Sequence, residues 1–310
     1  MRIFISGSLA YDRIMTFPGK FADHILPEKI HILNVCFLVD NLEEKFGGTA
    51  GNIAYSLSLL GEDPTVLATT GKDFDRYEAW LKECGISMEG MVNVPTEFTA
   101  GAYITTDMSD NQITGFNMGA MKYPSNYAFH VLDPADTIAI AAPGNLEDMK
   151  KYMSLYKEKG IRCIFDPGQN IPAFKGPELV DMLTGASILI SNDYELELIM
   201  NSTGLTKTEI LERTPVVITT LGEKGCLISE SGSETQISAA KVKTVKDPTG
   251  AGDGFRAGLI KGLCMGKCLP DAAKIGAISA AYAVEHYGTQ EHRYTEDEFW
   301  KRFADNFGAI

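Results

Sequence analysis

The chain has 310 residues, enough for one large domain with an elaboration or for two domains, and too few for three. Its 45% hydrophobic and 22% charged content is that of a globular protein with a sizeable core. The 28 Lys and Arg against 41 Asp and Glu give a formal charge of −13, which disfavours nucleic acid and anionic membrane surfaces as partners but leaves small anions open, since local backbone dipoles bind those.

The opening MRIFISGSLAYD breaks at Gly7 and reads as a first strand, over 2–6, rather than a signal peptide. The spacing then predicts a helix at 49–60, a strand at 64–69, a helix at 74–83, a strand at 137–141 and a helix at 146–159. Strands follow at 162–165 and 187–190, a helix at 194–201, a strand at 216–220, and helices at 252–265 and 271–286. This alternation predicts an α/β fold with a mostly parallel sheet covered on both faces. Two stretches interrupt it, 14–39 and 98–116, with β-type runs and no helix after them. Residues 32–39 (ILNVCFLV) are almost wholly apolar, and 107–111 is a polar turn between two short runs. The two insertions read either as a small separate sheet or as edge strands of the main one. A separate apolar sheet needs a cover, which is a substrate or a second subunit.

No apolar run reaches the roughly 18 residues of a membrane span. The six cysteines form no CxxC pair, and Cys264 and Cys268 lack a neighbouring histidine, so a reduced, cytoplasmic setting is expected and zinc is not.

Several apolar runs end in small or polar residues, as a ligand-facing rim does: Ser6-Gly7-Ser8 followed by Asp12, Asp166-Pro167-Gly168, Ser191-Asn192, and Thr219 to Gly222. The strongest pattern is Asp247-Pro-Thr-Gly-Ala-Gly-Asp253. Gly250, Ala251 and Gly252 are small and open a helix, so their N–H groups form an anion hole. Asp253, in the first turn, is either a helix cap or the base that deprotonates a hydroxyl attacking phosphorus. Arg256 is either a cation on a phosphate or a surface charge. There is no Walker A loop and no dinucleotide fingerprint.

The stretch 247–260, together with Gly47-Gly48-Thr-Ala-Gly-Asn52, resembles the two signatures of the ribokinase-like (PfkB) sugar and nucleoside kinases, and the resemblance runs nearly end to end. It implies a three-layer α/β/α domain over 1–12, 40–97 and 117–310, with a β lid over 13–39 and 98–116. It implies that Asp12 accepts bonds from two ribose hydroxyls, with Ser8, Gly47, Gly48 and Asn52 completing the acceptor site. Asp253 is then the general base, and Gly250–Gly252 hold the transferring phosphoryl. Asn192 and Glu195 match an N-x-x-E element that organises Mg²⁺ through water. Thr220, Gly222 and Gly225 match a nucleotide-binding T-x-G-x-x-G, Gln290 falls where the family lines the adenine, and Asp247 falls near a K⁺ site. The implied donor is ATP. Stretches such as 7–12, 32–38, 114–121 and 165–169 resemble adenosine kinases more than ribokinases or fructokinases, which implies a purine base slot. Ile14, Leu38, Phe116 and Met118 are its candidate walls, with Phe116 stacking on the base. Asn117-Met118 stands where adenosine kinases carry His-Pro. The resemblance allows a monomer or a homodimer paired through the lid, and it leaves a sugar kinase as the competing reading.

Overall fold

Strands that alternate between two apolar faces must be covered on both, and the core is divided accordingly. Ile3 and Ile5 pack into one buried cluster with Ile53, Leu57 and Leu259, while Phe4 packs into another with Tyr152 and Tyr156. Ile138 and Ile140 split from Ala139 and Ala141 in the same way.

The computed structural model describes residues 1–130 and 132–309. In chain order its elements are β1 (Arg2–Ser6), β2 (Ala10–Thr16), β3 (Leu42–Gly47), α1 (Thr49–Leu59), β4 (Pro64–Gly71), α2 (Asp75–Glu83), β5 (Met91–Val94), β6 (Ala100–Thr106) and β7 (Gln112–Asn117). There follow β8 (Thr137–Ala141), α3 (Leu146–Lys159), β9 (Arg162–Phe165), α4 (Gly176–Leu183), β10 (Ile188–Asn192), α5 (Asp193–Thr203), α6 (Lys207–Leu211) and β11 (Val216–Thr220). The chain ends with β12 (Cys226–Glu230), β13 (Ser233–Ile237), α7 (Ala251–Cys264), α8 (Leu269–Val284) and α9 (Glu296–Phe307).

Among the described residues the larger sheet has nine strands in the order β13-β12-β11-β10-β9-β8-β1-β4-β5. All its pairings are parallel except those of β12 with β11 and β13. The strand order turns back at β1, between β8 and β4, and ligands bind outside the carboxyl ends at such a reversal.

The second sheet is separate and runs β3-β2-β6-β7, so the insertions are not edge strands of the main sheet. Its strands differ from expectation in two places. β2 runs across the expected 12/13 boundary, and β3 lies in the stretch 40–97 assigned to the larger domain. The apolar run 32–39 is not a strand, because Pro27–Ile32 forms 3-10 turns and the chain beyond stays irregular and mostly exposed. The 107–111 turn closes β6 onto β7, with Asp107 Oδ1 accepting from the N–H groups of Ser109 and Asn111. On the far side of the lid, Arg13 bridges Glu44 at 2.9 Å and Asp73 of the larger domain at 3.3 Å. Among the described residues no helix is long and apolar enough to cross a membrane.

Candidate active site

The first turn of α7 begins at Gly250, whose φ of +80° is the left-handed region that a side chain resists. No side chain caps this end. The N–H groups of Gly252 and Asp253 find no acceptor among the described residues, so they point unpaired into a cleft of about 480 Å³. The cleft is floored by strand ends, with Asp166 after β9, Asn192 at the end of β10 and Thr220 at the end of β11. Thr220, Gly222 and Gly252 also border a second cavity of about 720 Å³, whose walls are mainly apolar residues of 237–245 and α8. A polyanion at the N–H groups and an aromatic base in the apolar cavity would together span one nucleotide.

Asp253 is buried, and burial raises its carboxyl above the ordinary value, against the lowering effects of Arg256 and of a bond from Asn52. Asn52 Nδ2 donates to Asp253 Oδ2 at 2.8 Å. The Asn52 carbonyl accepts from Thr289 Oγ1 at 2.8 Å and from Gln290 Nε2 at 3.1 Å. Gln290 is bonded in turn to Tyr77 and Trp80, and Tyr77 donates to the Gly47 carbonyl at 2.8 Å. This chain fixes the orientation of one carboxylate from α1, α2 and the 288–290 segment.

Asp12 lies on β2 beside Gly47, where a methyl group would run into its carboxylate. Burial, then Asp247, then Asp253 push its carboxyl up to about 6. If Asp12 accepts hydroxyls from a substrate it must be ionised to do so, and the KM of that substrate would then rise as the pH falls below about 6. That dependence flattens in Asp12→Asn, and a parallel pH profile in this variant would remove Asp12 from the acceptor site. The folded value is raised above the ordinary 3.8, so the ionised group costs stability above about pH 6. The cost fades as the pH falls through that value.

The chain matches the pfkB family carbohydrate kinase pattern over residues 13–296. It belongs to that family. A nucleoside kinase of Methanocaldococcus jannaschii is 32% identical over 283 residues, covering 89% of this chain and 91% of that protein. The structure of a Burkholderia thailandensis nucleoside kinase in complex with inosine aligns with a TM-score of 0.86 at 37% identity, over 99% of this chain and 98% of that one. The same enzyme in complex with ADP-inosine aligns with a TM-score of 0.84 at 39% identity, over 99% and 96%. The fold is therefore ribokinase-like, a large mostly parallel α/β layer with a small β lid, and the protein is a kinase of that family.

Within this family framework the expected residues fall into three groups. Asp12, Gly47, Gly48, Asn52 and Asp253 come together, as do Gly250, Ala251 and Gly252 with Thr220 and Gly222. Gly225 lines the apolar cavity.

Others have different partners from those expected. The Ser8 Oγ accepts the Thr49 N–H at 3.0 Å and sits 3.2 Å from the Thr49 hydroxyl, so it ties the end of β1 to the start of α1. Asn52 has both ends of its amide committed and acts on Asp253. Gln290 is 3% exposed and sits in the Asn52 network rather than at an adenine, because the 288–290 segment packs against α1 and α2. Asn192 and Glu195 cap α5 reciprocally, Asn192 Oδ1 accepting from the Glu195 N–H at 2.7 Å and Glu195 Oε2 from the Asn192 N–H at 2.8 Å. The oxygens of Asp247 accept from the N–H groups of Thr249 and Gly288, so its carboxylate braces the loop.

The third group lies on the lid. Leu38 is 82% exposed in the irregular stretch, and Phe116 is exposed on β7. Sequence reasoning missed Tyr77 and Thr289 as members of the network that holds Asp253, because nothing local marks a residue whose partner is more than two hundred positions away.

Proposed function

We propose that the protein transfers the γ-phosphoryl group of ATP to the 5′-hydroxyl of a ribonucleoside, with adenosine the first acceptor to test. The observation that carries this reading is a row across the lid. Asp12 is in register with Ala102, and Ala102 with Phe116. Residues in register share a face, so Phe116 lies on the same side as Asp12, two strands or about 10 Å away. That is about the reach from a ribose hydroxyl to its base. Ile14 and its register partner Ile104 lie on the same face. An apolar and aromatic surface at that distance suits a purine, whereas a free sugar would want polar groups there. The inosine complex of the Burkholderia enzyme supports a nucleoside in this cleft.

In the proposed step Asp253 takes the hydroxyl proton, and the oxygen lone pair forms the new bond to the γ-phosphorus. The bond from that phosphorus to the β–γ bridging oxygen breaks, and ADP leaves with the electron pair. The free N–H groups at the start of α7 offset the developing charge. Closure of the lid excludes water.

Mg²⁺ bound with ATP would supply further charge neutralisation. Among the described residues no cluster of three or more His, Cys, Asp or Glu is arranged to hold a metal, which suits an ion that arrives on phosphates. Asn192 and Glu195 would hold it through water, since each already uses one oxygen for the helix cap. No step involves a monovalent cation.

A coupled assay of ADP release with adenosine, inosine, guanosine, cytidine, ribose and fructose tests the reading. Turnover with nucleosides and not with free sugars is expected, and preferred turnover with ribose or fructose would overturn it. Phe116→Ala lowers kcat/KM for a purine nucleoside by about 10-fold or more, because base stacking is worth about 1–3 kcal/mol. An unchanged value would take Phe116 out of the base slot. Sedimentation velocity decides between a monomer and a homodimer paired through the lid, with exposed Leu38 and Leu42 as the positions to change.

A further inference from the structure

Arg256 is not a surface cation. Its side chain is 11% exposed, and its Nε lies 2.5 Å from Oδ2 of Asp166, itself 1% exposed. The contact is an ion pair out of line for a hydrogen bond: Nε and both Asp166 oxygens are buried without an aligned partner. Arg256 follows Asp253 by three residues on α7, so the two side chains share a helix face. Its Nη1 lies so close over Gly252 that a methyl group there would collide with it. Its pairing with Asp166 is through Nε, which leaves the Nη groups toward the cleft that Arg256 lines.

The charge balance of the cleft makes this position informative. Its walls carry the carboxylates of Asp166, Asp193, Glu195 and Asp253, and Arg256 is the one side-chain cation among them. A buried ion pair is a weak source of stability. A guanidinium held beside unpaired helix N–H groups is, by contrast, a second donor set for a phosphate oxygen.

We propose that Arg256 is a further catalytic residue whose Nη groups bond the transferring phosphoryl as charge moves onto its oxygens, and that Asp166 is the positioning residue that holds the guanidinium over Gly252. The step is the one already written, with the hydroxyl proton on Asp253 and the electron pair on ADP. Arg256 donates hydrogen bonds and transfers no proton. This assignment rests on the family's phosphoryl transfer and not on which acceptor is used. The arrangement also explains why Arg256 lowers the Asp253 carboxyl against the effect of burial, so that a single cation acts on both the base and the phosphoryl.

The test begins with the unaltered protein and its best acceptor. If that protein has no kinase activity, the functional reading fails before this one is reached. With activity in hand, Arg256→Gln is expected to lower kcat roughly 100- to 1,000-fold, as loss of one transition-state donor does. The KM for ATP and the affinity for ADP should stay within about threefold. Binding of ADP with aluminium fluoride and acceptor, which imitates the planar phosphoryl, should weaken by a factor comparable to the loss in kcat. The acid limb of the kcat profile should move to higher pH, because Asp253 loses the charge that lowers its carboxyl.

Arg256→Lys keeps a charge without the fork and should fall between, which preserves the test if the glutamine variant folds poorly. Asp166→Asn should lower kcat without changing ADP affinity, and Asp166→Asn combined with Arg256→Gln should be no worse than Arg256→Gln alone. The assignment is overturned if Arg256→Gln and Arg256→Lys keep kcat within about threefold, or if ADP and the fluoride complex weaken equally. Additive losses in the double variant would overturn the role of Asp166.

Discussion

Asp253→Asn lowers kcat by roughly two to four orders of magnitude, the range that general-base catalysis supplies. The acceptor hydroxyl has an ordinary pKa far above neutrality, and a carboxyl raised by burial is a better proton acceptor than one in water. The substitution removes the basic oxygen and little else. Asn52 now donates to Asp253 Oδ2, and an asparagine there keeps that bond by presenting its carbonyl oxygen. The side-chain volume is conserved, and a buried charge is lost rather than stranded. The melting temperature should therefore hold, and the KM of the acceptor should stay near that of the parent. Single-turnover phosphoryl transfer is the measurement, because it separates chemistry from product release. A rate within tenfold of the parent would remove Asp253 from the base role and leave it as a support of α7.

Asp12→Ala acts on the other half of the reaction. Two charge-assisted bonds to ribose hydroxyls are worth about 1.5–3 kcal/mol each, so the KM of the acceptor rises roughly 100-fold or more. The value of kcat at saturation should change little, because in the proposed complex Asp12 would touch the sugar and not the phosphorus. Stability should not fall. The Asp12 carboxyl is held high first by burial and then by Asp247 and Asp253, so its removal relieves both costs. Steady-state kinetics paired with thermal unfolding read the two effects in one preparation. A melting temperature lowered in step with the rise in KM would make Asp12 a structural member of the lid rather than a substrate ligand.

How much of this was legible in the sequence depends on how local the causes are. The strands 2–6, 137–141, 162–165 and 216–220 were readable to the residue, because a strand covered on both faces is apolar along its whole length. The helix start at Gly250-Ala251-Gly252 was readable because it needs no distant partner. The lid was harder. Leu42–Gly47 reads LEEKFG, too polar for an inner strand, and it forms a strand because it is an edge with a solvated face. The apolar run 32–39 promised a strand and formed none, since hydrophobicity without a pairing partner does not make a sheet. The supports of Asp253 were out of reach. Gln290 and Asn52 meet across 238 positions, and neither carries a sign of the other. Asn192 and Glu195 were visible as a pair, yet the same spacing serves a capping box, and that box is formed here.

The two sheets divide the labour unevenly. The proposed base and anion hole lie on α7 of the larger layer, while the row from Asp12 through Ala102 to Phe116 belongs to the lid. The lid strands β6 and β7 enter as one continuous hairpin, and their inward face can be rewritten side chain by side chain without moving any residue that handles phosphorus. On the proposed function, acceptor preference would be an editable layer on a fixed engine. A lineage, or a protein engineer, would then move between nucleosides and sugars through a handful of hairpin positions while the phosphoryl machinery stayed under separate selection.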